Sequence, residues 1–121
     1  MKKTVLIADD DPSMVQILRH ILEFEGFKVI SESNGRAALA TAIQVRPDLL
    51  ILDLTMPILD GMSVLRELYG SEIQFESPAI LLTAQDPMQY KETAEAFGDV
   101  RFVEKPFELD NFIDIIRRYL K

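Results

Sequence analysis

The sequence predicts an α/β fold, a doubly wound parallel sheet of five strands with five helices packed against it. Short apolar runs alternate along the chain with longer segments that repeat apolar residues at helical spacing. Proline, glycine and short polar residues separate these segments, where turns and helix caps are expected. One run, residues 49–52, is apolar throughout, as in a strand that helices cover on both faces of a sheet. Right-handed crossovers would join these units into one sheet.

The first strand is β-branched and apolar, over residues 5–8, and leads into three aspartates. Asp11 followed by Pro12 is typical of a capped helix start, and this helix should end near Glu25-Gly26. Its inward stripe is predicted to consist of Met14, Leu18, Ile21 and Leu22. The second strand is predicted over residues 27–31.

The middle of the chain repeats this alternation on either side of the apolar run. Asn34-Gly35 is a turn signal before a second helix over residues 36–45. The inward residues of that helix are predicted to be Ala38, Leu39, Ala42 and Ile43. The central strand ends on Asp53, and Asp60-Gly61 provides turn chemistry before a third helix over residues 62–69.

The last third of the chain adds two strands and two helices. A fourth apolar strand over residues 79–83 follows Pro78, and Asp86-Pro87 repeats the cap signal for a fourth helix that ends near Phe97-Gly98. Residues 100–104 alternate as a fifth strand. A final amphipathic helix is predicted from the spacing of Leu109, Phe112, Ile113, Ile116 and Leu120.

Composition and charge limit the classes of protein to which the chain can belong. Its 121 residues suffice for one domain, predicted over residues 1–121 without an output domain. A net charge of -7 argues against direct nucleic-acid binding, since phosphate backbones attract basic surfaces. The apolar run after Lys2-Lys3 is too short for a signal sequence or a membrane span, and cysteine is absent. We therefore expect a soluble cytoplasmic protein without membrane insertion.

Polar side chains stand at the ends of four predicted strands. Asp9 and Asp10 follow the first strand, and Asp53 ends the third. Thr83 ends the fourth strand and Lys105 follows the fifth. Because the carboxyl ends of parallel strands meet at one edge, these side chains should lie together. Three neighbouring carboxylates repel unless cations balance them, and Lys105 supplies only one positive charge. Carboxylate oxygens favour Mg²⁺ as the ion that would balance the remaining negative charge.

The polar residues at the strand ends, in the order in which they occur along the chain, resemble those of the receiver domain of two-component response regulators. The resemblance is carried by Asp9-Asp10, Asp53-Leu54-Thr55-Met56-Pro57-Ile58-Leu59-Asp60-Gly61, Thr83-Ala84 and Lys105-Pro106-Phe107. Full βα units separate these motifs, and the resemblance covers essentially the whole chain. It implies a flavodoxin-like sheet with the strand order 2-1-3-4-5.

The resemblance also implies a role for each residue near the phosphoryl group. Asp53 matches the phosphoacceptor, Thr83 the hydroxyl that hydrogen-bonds the phosphoryl group, and Lys105 the ammonium that pairs with it. Phe102 matches an aromatic switch position, although an aromatic residue on an alternating strand is by default a packing residue. The Lys105-Pro106 peptide bond is expected to be cis.

Mg²⁺ is the cofactor that the resemblance implies. Carboxylates matching Asp10 and Asp53 bind the ion directly in this family, together with the backbone carbonyl at the position of Thr55. Asp9 is expected to act mainly through water. Asp11 is expected to be a helix cap only.

The expected function is a switch that phosphorylation controls. A sensor histidine kinase or a histidine phosphotransfer protein would phosphorylate Asp53, and the helix-strand-helix face around Phe102 would change its partner binding. That partner would be a downstream effector protein or a covalently linked output domain outside these 121 residues. Ile115 and Tyr119 flank the inward stripe of the last helix and suggest an exposed surface there, either for a partner or for a phosphorylation-dependent homodimer.

Two other functions fit parts of the pattern. A phosphohydrolase of the haloacid-dehalogenase type normally has an acid/base aspartate two residues after its nucleophile, where this chain has Thr55. A receiver-like module that only binds proteins would be expected to lack some site residues, and this chain has Asp10, Asp53, Thr83 and Lys105. We therefore expect no enzymatic activity beyond the domain's own phosphorylation and dephosphorylation.

Overall fold

A parallel sheet of five strands forms the centre of the fold. The computed structural model of the protein describes residues 2–70, 72–84, 88, 92 and 96–120. The strands are β1 (Thr4–Ala8), β2 (Lys28–Glu32), β3 (Leu49–Asp53), β4 (Ala79–Thr83) and β5 (Val100–Glu104). The helices among these residues are α1 (Pro12–Phe24), α2 (Gly35–Val45), α3 (Gly61–Tyr69) and α4 (Leu109–Leu120).

The strand order β2-β1-β3-β4-β5 confirms the predicted doubly wound, flavodoxin-like sheet. All four neighbouring pairs are parallel, so every connection between strands is a crossover. The chain moves from β1 outward to β2 and then returns past β1 to β3. In such sheets the carboxyl ends of the strands form a crevice at this reversal, and ligands bind there.

Apolar side chains cover both faces of the sheet. Leu50 and Leu81 pack on the face that α2 and α3 cover, whereas Ile51 and Ile80 pack on the face that α1 and α4 cover. Every residue of β3 and β4 is buried because these strands have a packed layer on each side. The two layers explain why residues 49–52 are apolar without alternation.

The strands follow the predicted ranges closely. β3, β4 and β5 occupy those ranges, β1 begins one residue earlier, and β2 is shifted by one residue toward the carboxyl end. The described part of the chain contains four helices rather than the predicted five. The fourth predicted helix, from Asp86-Pro87 to near Phe97-Gly98, falls mostly outside the described residues, although residues 88 and 92 are helical.

Side-chain caps begin the first three helices, of which the sequence predicted the Asp11 cap and only turns at Asn34 and Asp60. Asp11 Oδ1 accepts a hydrogen bond from the Ser13 N–H at 2.9 Å, and Asp60 Oδ1 accepts one from the Ser63 N–H at 2.8 Å. Asn34 caps α2 in the same way. Each cap satisfies a donor that has no partner inside its helix. Asp11 therefore has the capping role that was expected, and Asp60 supports its turn.

Two residues that were predicted to face inward are exposed instead. Ile43 is 37% exposed because α2 packs on the sheet through a narrow stripe of small residues that includes Ala38 and Ala42. Leu109 is 45% exposed. It is the first residue of α4 and lines a shallow groove against Ile21 of α1 instead of reaching the sheet.

Two glycines allow the segment between β3 and α3 to lie close to its neighbours. A Cβ atom on Gly61 would lie 2.6 Å from the carbonyl oxygen of Asp53, and one on Gly35 would lie 1.7 Å from the carbonyl oxygen of Leu59. No side chain fits at either distance, because both neighbours are backbone atoms. These glycines therefore fix the path of the chain immediately after Asp53.

We expect Gly35→Ala to lower the free energy of unfolding by about 2 kcal/mol or more, since its methyl group must displace the Leu59 carbonyl. Gly26→Ala is the matched control. No atom lies within 4 Å of its added carbon, and only its φ of +96° opposes the substitution, so we expect a loss of about 1 kcal/mol. Urea unfolding at pH 7 measures the free energy of unfolding of both variants. Equal losses of stability would show that the Leu59 carbonyl does not restrict the side chain at position 35.

Candidate functional site

Three carboxylates meet at the carboxyl edge of the sheet. Asp9 and Asp10 directly follow β1, and Asp53 is the last residue of β3. One oxygen from each side chain lies within 4.8 Å of the others. Asp9 and Asp53 are buried, whereas Asp10 is exposed. The structure therefore brings together the carboxylates that the sequence places at separate strand ends.

The Lys105 ammonium lies between two of these carboxylates. Its Nζ is 3.2 Å from Asp9 Oδ2 and 3.5 Å from Asp53 Oδ2. Its backbone N–H donates to the Thr83 carbonyl at 2.7 Å, which ties the end of β5 to β4. The following peptide bond, Lys105-Pro106, is cis as predicted. Lys105 is therefore the cation that compensates the buried part of the acidic cluster.

Both oxygens of Asp9 contact protein groups. Oδ2 pairs with Lys105, and Oδ1 accepts the backbone N–H of Asp11 at 2.9 Å. Burial of a carboxylate is unfavourable unless the charge is paired and hydrogen-bonded, and Asp9 satisfies both conditions. Asp9 therefore has a fixed position between the start of α1 and the end of β5.

Burial raises the pKa of Asp53 from its ordinary value of 3.8 to about 6, and repulsion from Asp9 acts in the same direction. Lys105 opposes this rise, as does the Thr55 N–H, which donates to Asp53 Oδ1 at 3.3 Å. Desolvation is the largest of these effects. Ionisation of this carboxyl group is therefore unfavourable unless a further positive charge lies beside it.

The chemistry of this cluster fits a hard divalent cation. Three carboxylates and one ammonium leave an excess of negative charge that a divalent ion would balance. All the candidate ligands are oxygens, which Mg²⁺ prefers, and the exposed Asp10 leaves one side of the cluster open to the waters that Mg²⁺ retains. Thr55, whose backbone carbonyl is the remaining expected ligand, lies in the segment that follows Asp53.

Thr83 lies at the same edge of the sheet and is buried. Strand register pairs Asp53 with Leu82, so Thr83 stands one residue further toward the carboxyl edge. The predicted neighbourhood of Asp53, Thr83 and Lys105 is thus present in the fold.

The residues that were expected to report the switch lie on β5 and α4. Phe102 is half-buried and packs against the core under α2 and α3. Ile115 and Tyr119 are also half-buried and pack against the core on the opposite face. The Tyr119 hydroxyl donates to Asp99 Oδ1 at 3.3 Å, which further fixes this side chain. The switch role of Phe102 and the homodimer stay predictions.

Sequence reasoning missed an unusual turn beside the site. Ile58 has a φ of +71° and is 71% exposed. The Leu59 N–H donates to the Pro57 carbonyl at 2.8 Å, which closes a three-residue turn around Ile58. A β-branched residue is rare at positive φ, so the sequence gives no signal for this turn.

A fourth carboxyl group at this edge, that of Glu32, was also missed. Glu32 ends β2, and its carbonyl oxygen accepts the Asp9 N–H at 3.2 Å. The predicted strand stopped one residue earlier, so the position of Glu32 at a strand end was not recognised. The position of Glu32 at the end of a strand was the sequence signal that could have placed it at this edge.

A family model of the response regulator receiver domain matches residues 5–117. PhoP, the alkaline phosphatase synthesis transcriptional regulatory protein of Bacillus subtilis, is 37% identical over 88% of this chain and 44% of its own length. The transcriptional regulatory protein TrcR of Mycobacterium tuberculosis is 32% identical over 97% of this chain and 45% of its own length. The chain thus spans less than half the length of these two curated relatives.

Solved structures with the same fold are similar over nearly the full chain. The Vibrio cholerae chemotaxis protein CheY4 has a TM-score of 0.88 and 28% identity, covering 99% of this chain and 100% of that chain. The receiver domain of the sensor histidine kinase PA1611 from Pseudomonas aeruginosa has a TM-score of 0.85 and 27% identity, covering 99% and 98%. That structure is described with a magnesium ion coordinated in its active site cleft.

The flavodoxin-like sheet and the acidic cluster at its carboxyl edge agree with the family match and place the chain in a class of signalling domains. This chain belongs to the response regulator receiver domain family of two-component systems. Within the described ranges, no helix combines the length and the apolar character that crossing a membrane requires. The cytoplasmic location and the absence of direct nucleic-acid binding stay predictions from composition.

We expect Ile58→Asn to raise the free energy of unfolding by about 1 kcal/mol, because asparagine tolerates positive φ better than a β-branched residue. The matched control is Ile43→Asn, which makes the same change at an exposed isoleucine inside α2. We expect that control to lower stability, since asparagine is a poor helix residue. Guanidinium unfolding compares the stability of the two variants. A loss of stability in both would contradict the claim that the backbone is strained at Ile58.

In the metal-free protein, we expect Asp53→Asn to raise the free energy of unfolding at pH 7.5 by about 1–3 kcal/mol. The folded-state pKa of Asp53 lies above the ordinary value, so the folded protein binds more protons than the unfolded chain between about pH 4 and pH 6. Wild-type stability from this group is therefore present below pH 4 and lost as the pH rises to 6.

Urea unfolding with a chelator, from pH 4 to pH 8, measures this difference. The gain of Asp53→Asn should shrink toward zero at pH 4. Asp114→Asn, on the exposed surface of α4, should change stability by less than about 0.5 kcal/mol at every pH. A pH-independent effect of Asp53→Asn would show that burial does not disfavour the Asp53 charge.

Proposed function

We propose that Asp53 is the residue of this receiver domain that is phosphorylated, and that the resulting acyl phosphate switches its partner binding. The observation that carries this proposal is the Asp53 carboxylate itself, which is buried with Asp9 at the carboxyl edge of the sheet and lies 3.5 Å from the Lys105 ammonium. A side chain placed in this way, with a raised pKa, is typical of a functional site.

Asp53 is the nucleophile in this proposal. Its oxygen attacks the phosphorus of a phosphohistidine, the new O–P bond forms, and the N–P bond breaks with its electron pair remaining on the histidine nitrogen. The Thr55 N–H, which donates to Asp53 Oδ1, orients the carboxylate. The Lys105 ammonium, close to Oδ2, is positioned to neutralise charge on the transferring oxygens.

Asp10, Asp53 and the Thr55 carbonyl would hold Mg²⁺, and Asp9 would contact it mainly through water. When bound, the ion supplies positive charge to the phosphoryl oxygens and so lowers the repulsion that an anionic nucleophile meets. Asp9 has a second role because it holds Lys105 at 3.2 Å. This contact keeps the ammonium at the site before the phosphoryl group arrives.

The new phosphoryl group adds about -1.5 to -2 charges at neutral pH. Lys105 would pair with this group, and the Thr83 hydroxyl would hydrogen-bond to it. Each hydrogen bond to a charged group contributes about 1.5–3 kcal/mol, so the pair supplies about 3–6 kcal/mol. A shift from 1:99 to 99:1 between two conformations needs about 5.5 kcal/mol. These two contacts can therefore drive a switch of the face around Phe102.

The partners follow from this role. Receiver domains act with histidine kinases and effector domains, and a sensor kinase or a histidine phosphotransfer protein would be the phosphoryl donor here. The target would be an effector protein or a linked output domain. Ile115 and Tyr119 pack against the core, so a homodimer through this face would use only their half-exposed surfaces.

The two alternative functions receive less support. Thr55 occupies the position where a haloacid-dehalogenase phosphohydrolase has its acid/base carboxyl group, and threonine does not transfer protons in that way at neutral pH. A module that only binds proteins would not need the ion pair of the buried Asp9 with Lys105. We infer that the domain catalyses only its own phosphorylation and dephosphorylation.

Intact mass after incubation with acetyl phosphate and Mg²⁺ tests this proposal. We expect one labile phosphoryl group on the wild type, none on Asp53→Asn, and none after removal of the metal. Asp114→Asn, an exposed aspartate change on α4, should be phosphorylated like the wild type. An adduct that persists in Asp53→Asn would contradict the assignment of the phosphoacceptor. Turnover of phosphoesters without an adduct would instead support the hydrolase.

A further inference from the structure

Glu32 places a fourth carboxyl group beside the acidic cluster, on the neighbouring strand. It ends β2 and pairs in register with Ala8, the residue immediately before Asp9. Its carbonyl oxygen accepts the Asp9 N–H at 3.2 Å. Adjacent strands lie about 4.8 Å apart, so the Glu32 backbone is one strand spacing from the chain that carries the metal-site aspartates.

The Glu32 side chain is held in place by α2. Its Oε2 accepts a hydrogen bond from the Thr41 hydroxyl at 2.6 Å, and the residue is only half-exposed. A free surface glutamate would distribute its charge over many rotamers, whereas this hydrogen bond fixes the carboxylate at the end of the sheet. The sequence positions of these two residues give no sign of their contact.

A cavity of about 590 Å³ is lined by Glu32 and by two of the metal-site aspartates, Asp9 and Asp10. Its lining includes Asp9, Asp10 and Glu32, and the start of α1 forms the opposite wall. Arg19 is the one cation in this lining, and its guanidinium donates to the Val29 carbonyl at 3.0 Å and to Ser31 Oγ at 2.9 Å. No ion pair between Arg19 and Glu32 is found in the described part of the chain, so negative charge predominates in the cavity.

We propose that Glu32 is a positioning residue for the divalent cation: its charge, which Thr41 fixes, attracts the hydrated ion that Asp10 and Asp53 bind. The inference rests on the proposed metal site and adds to it a residue outside the coordinating set. Mg²⁺ retains waters, so a carboxylate beside the cavity acts on the ion through space and through those waters.

The test compares Mg²⁺ affinity in Glu32→Gln and Glu23→Gln by isothermal titration calorimetry. Both variants remove one negative charge, and glutamine at position 32 can still accept the Thr41 hydrogen bond. Glu23 is exposed near the far end of α1, about 17 Å along the helix from its start. We expect the affinity of Glu32→Gln to fall about threefold at 0.1 M ionic strength and further at 0.01 M, while Glu23→Gln stays within about 1.5-fold of the wild type.

A second variant and a second measurement separate positioning from a structural role. Thr41→Val keeps the charge but frees the carboxylate, so we expect a smaller loss of affinity than in Glu32→Gln. Unfolding of the metal-free protein should show that Glu32→Gln is at least as stable as the wild type, because it relieves repulsion. A merely structural residue would instead lose stability together with affinity.

Two results would overturn the inference. In the first, Glu32→Gln and Glu23→Gln bind Mg²⁺ with equal affinity, while the wild type binds the ion and Asp10→Asn binds it poorly. This result would reject the positioning role of Glu32 and would leave the proposed metal site intact. Failure of the wild type to bind Mg²⁺ at all would overturn both the inference and the proposed metal site.

Discussion

The ion pairs of Lys105 with Asp9 and Asp53 are the interactions on which the site depends. One ammonium lies within 3.5 Å of two buried carboxylates, and a third carboxylate stands beside them. Topology makes this arrangement possible, because parallel strands direct all their carboxyl ends to one edge. The same topology makes it electrostatically incomplete, since one cation cannot neutralise three aspartates at short range. The site is therefore suited to receive further positive charge, which is a useful property for binding a metal and a phosphoryl group.

The surrounding structure holds this charge cluster in place. Gly61 allows the start of α3 to lie against the Asp53 backbone, and Gly35 allows the start of α2 to lie against the segment that follows. The turn around Ile58 is compressed into a conformation that its side chain disfavours. Strain of this kind persists only where surrounding contacts determine the path of the chain. The loop beside Asp53 is thus positioned by helix starts rather than by its own propensity.

The sheet of this fold is rigid, whereas the loops at its carboxyl edge surround charges that are incompletely balanced. Two packed layers bury every residue of β3 and β4. Close packing resists movement of these strands, so the strand ends and the surrounding loops are the parts of the fold that can respond to a charge change at Asp53. Phe102 on β5 and Tyr119 on α4 pack against opposite faces of the sheet and are both only half-buried. Glu32, at the end of the neighbouring strand β2, adds a carboxylate that Thr41 holds beside this edge.

The sequence by itself determined the end of every strand except β2, the cap of α1, and the aspartates and the lysine that meet at the carboxyl edge, because apolar periodicity and capping chemistry are local signals. It identified Asp53 and Lys105 through their position after apolar strands. Only the tertiary structure decided that Asp9 lies closest to Lys105, that Thr41 holds Glu32, and that Leu109 faces α1 instead of the sheet. These contacts join residues far apart in the chain, and their geometry depends on how closely each helix packs, which no local pattern encodes.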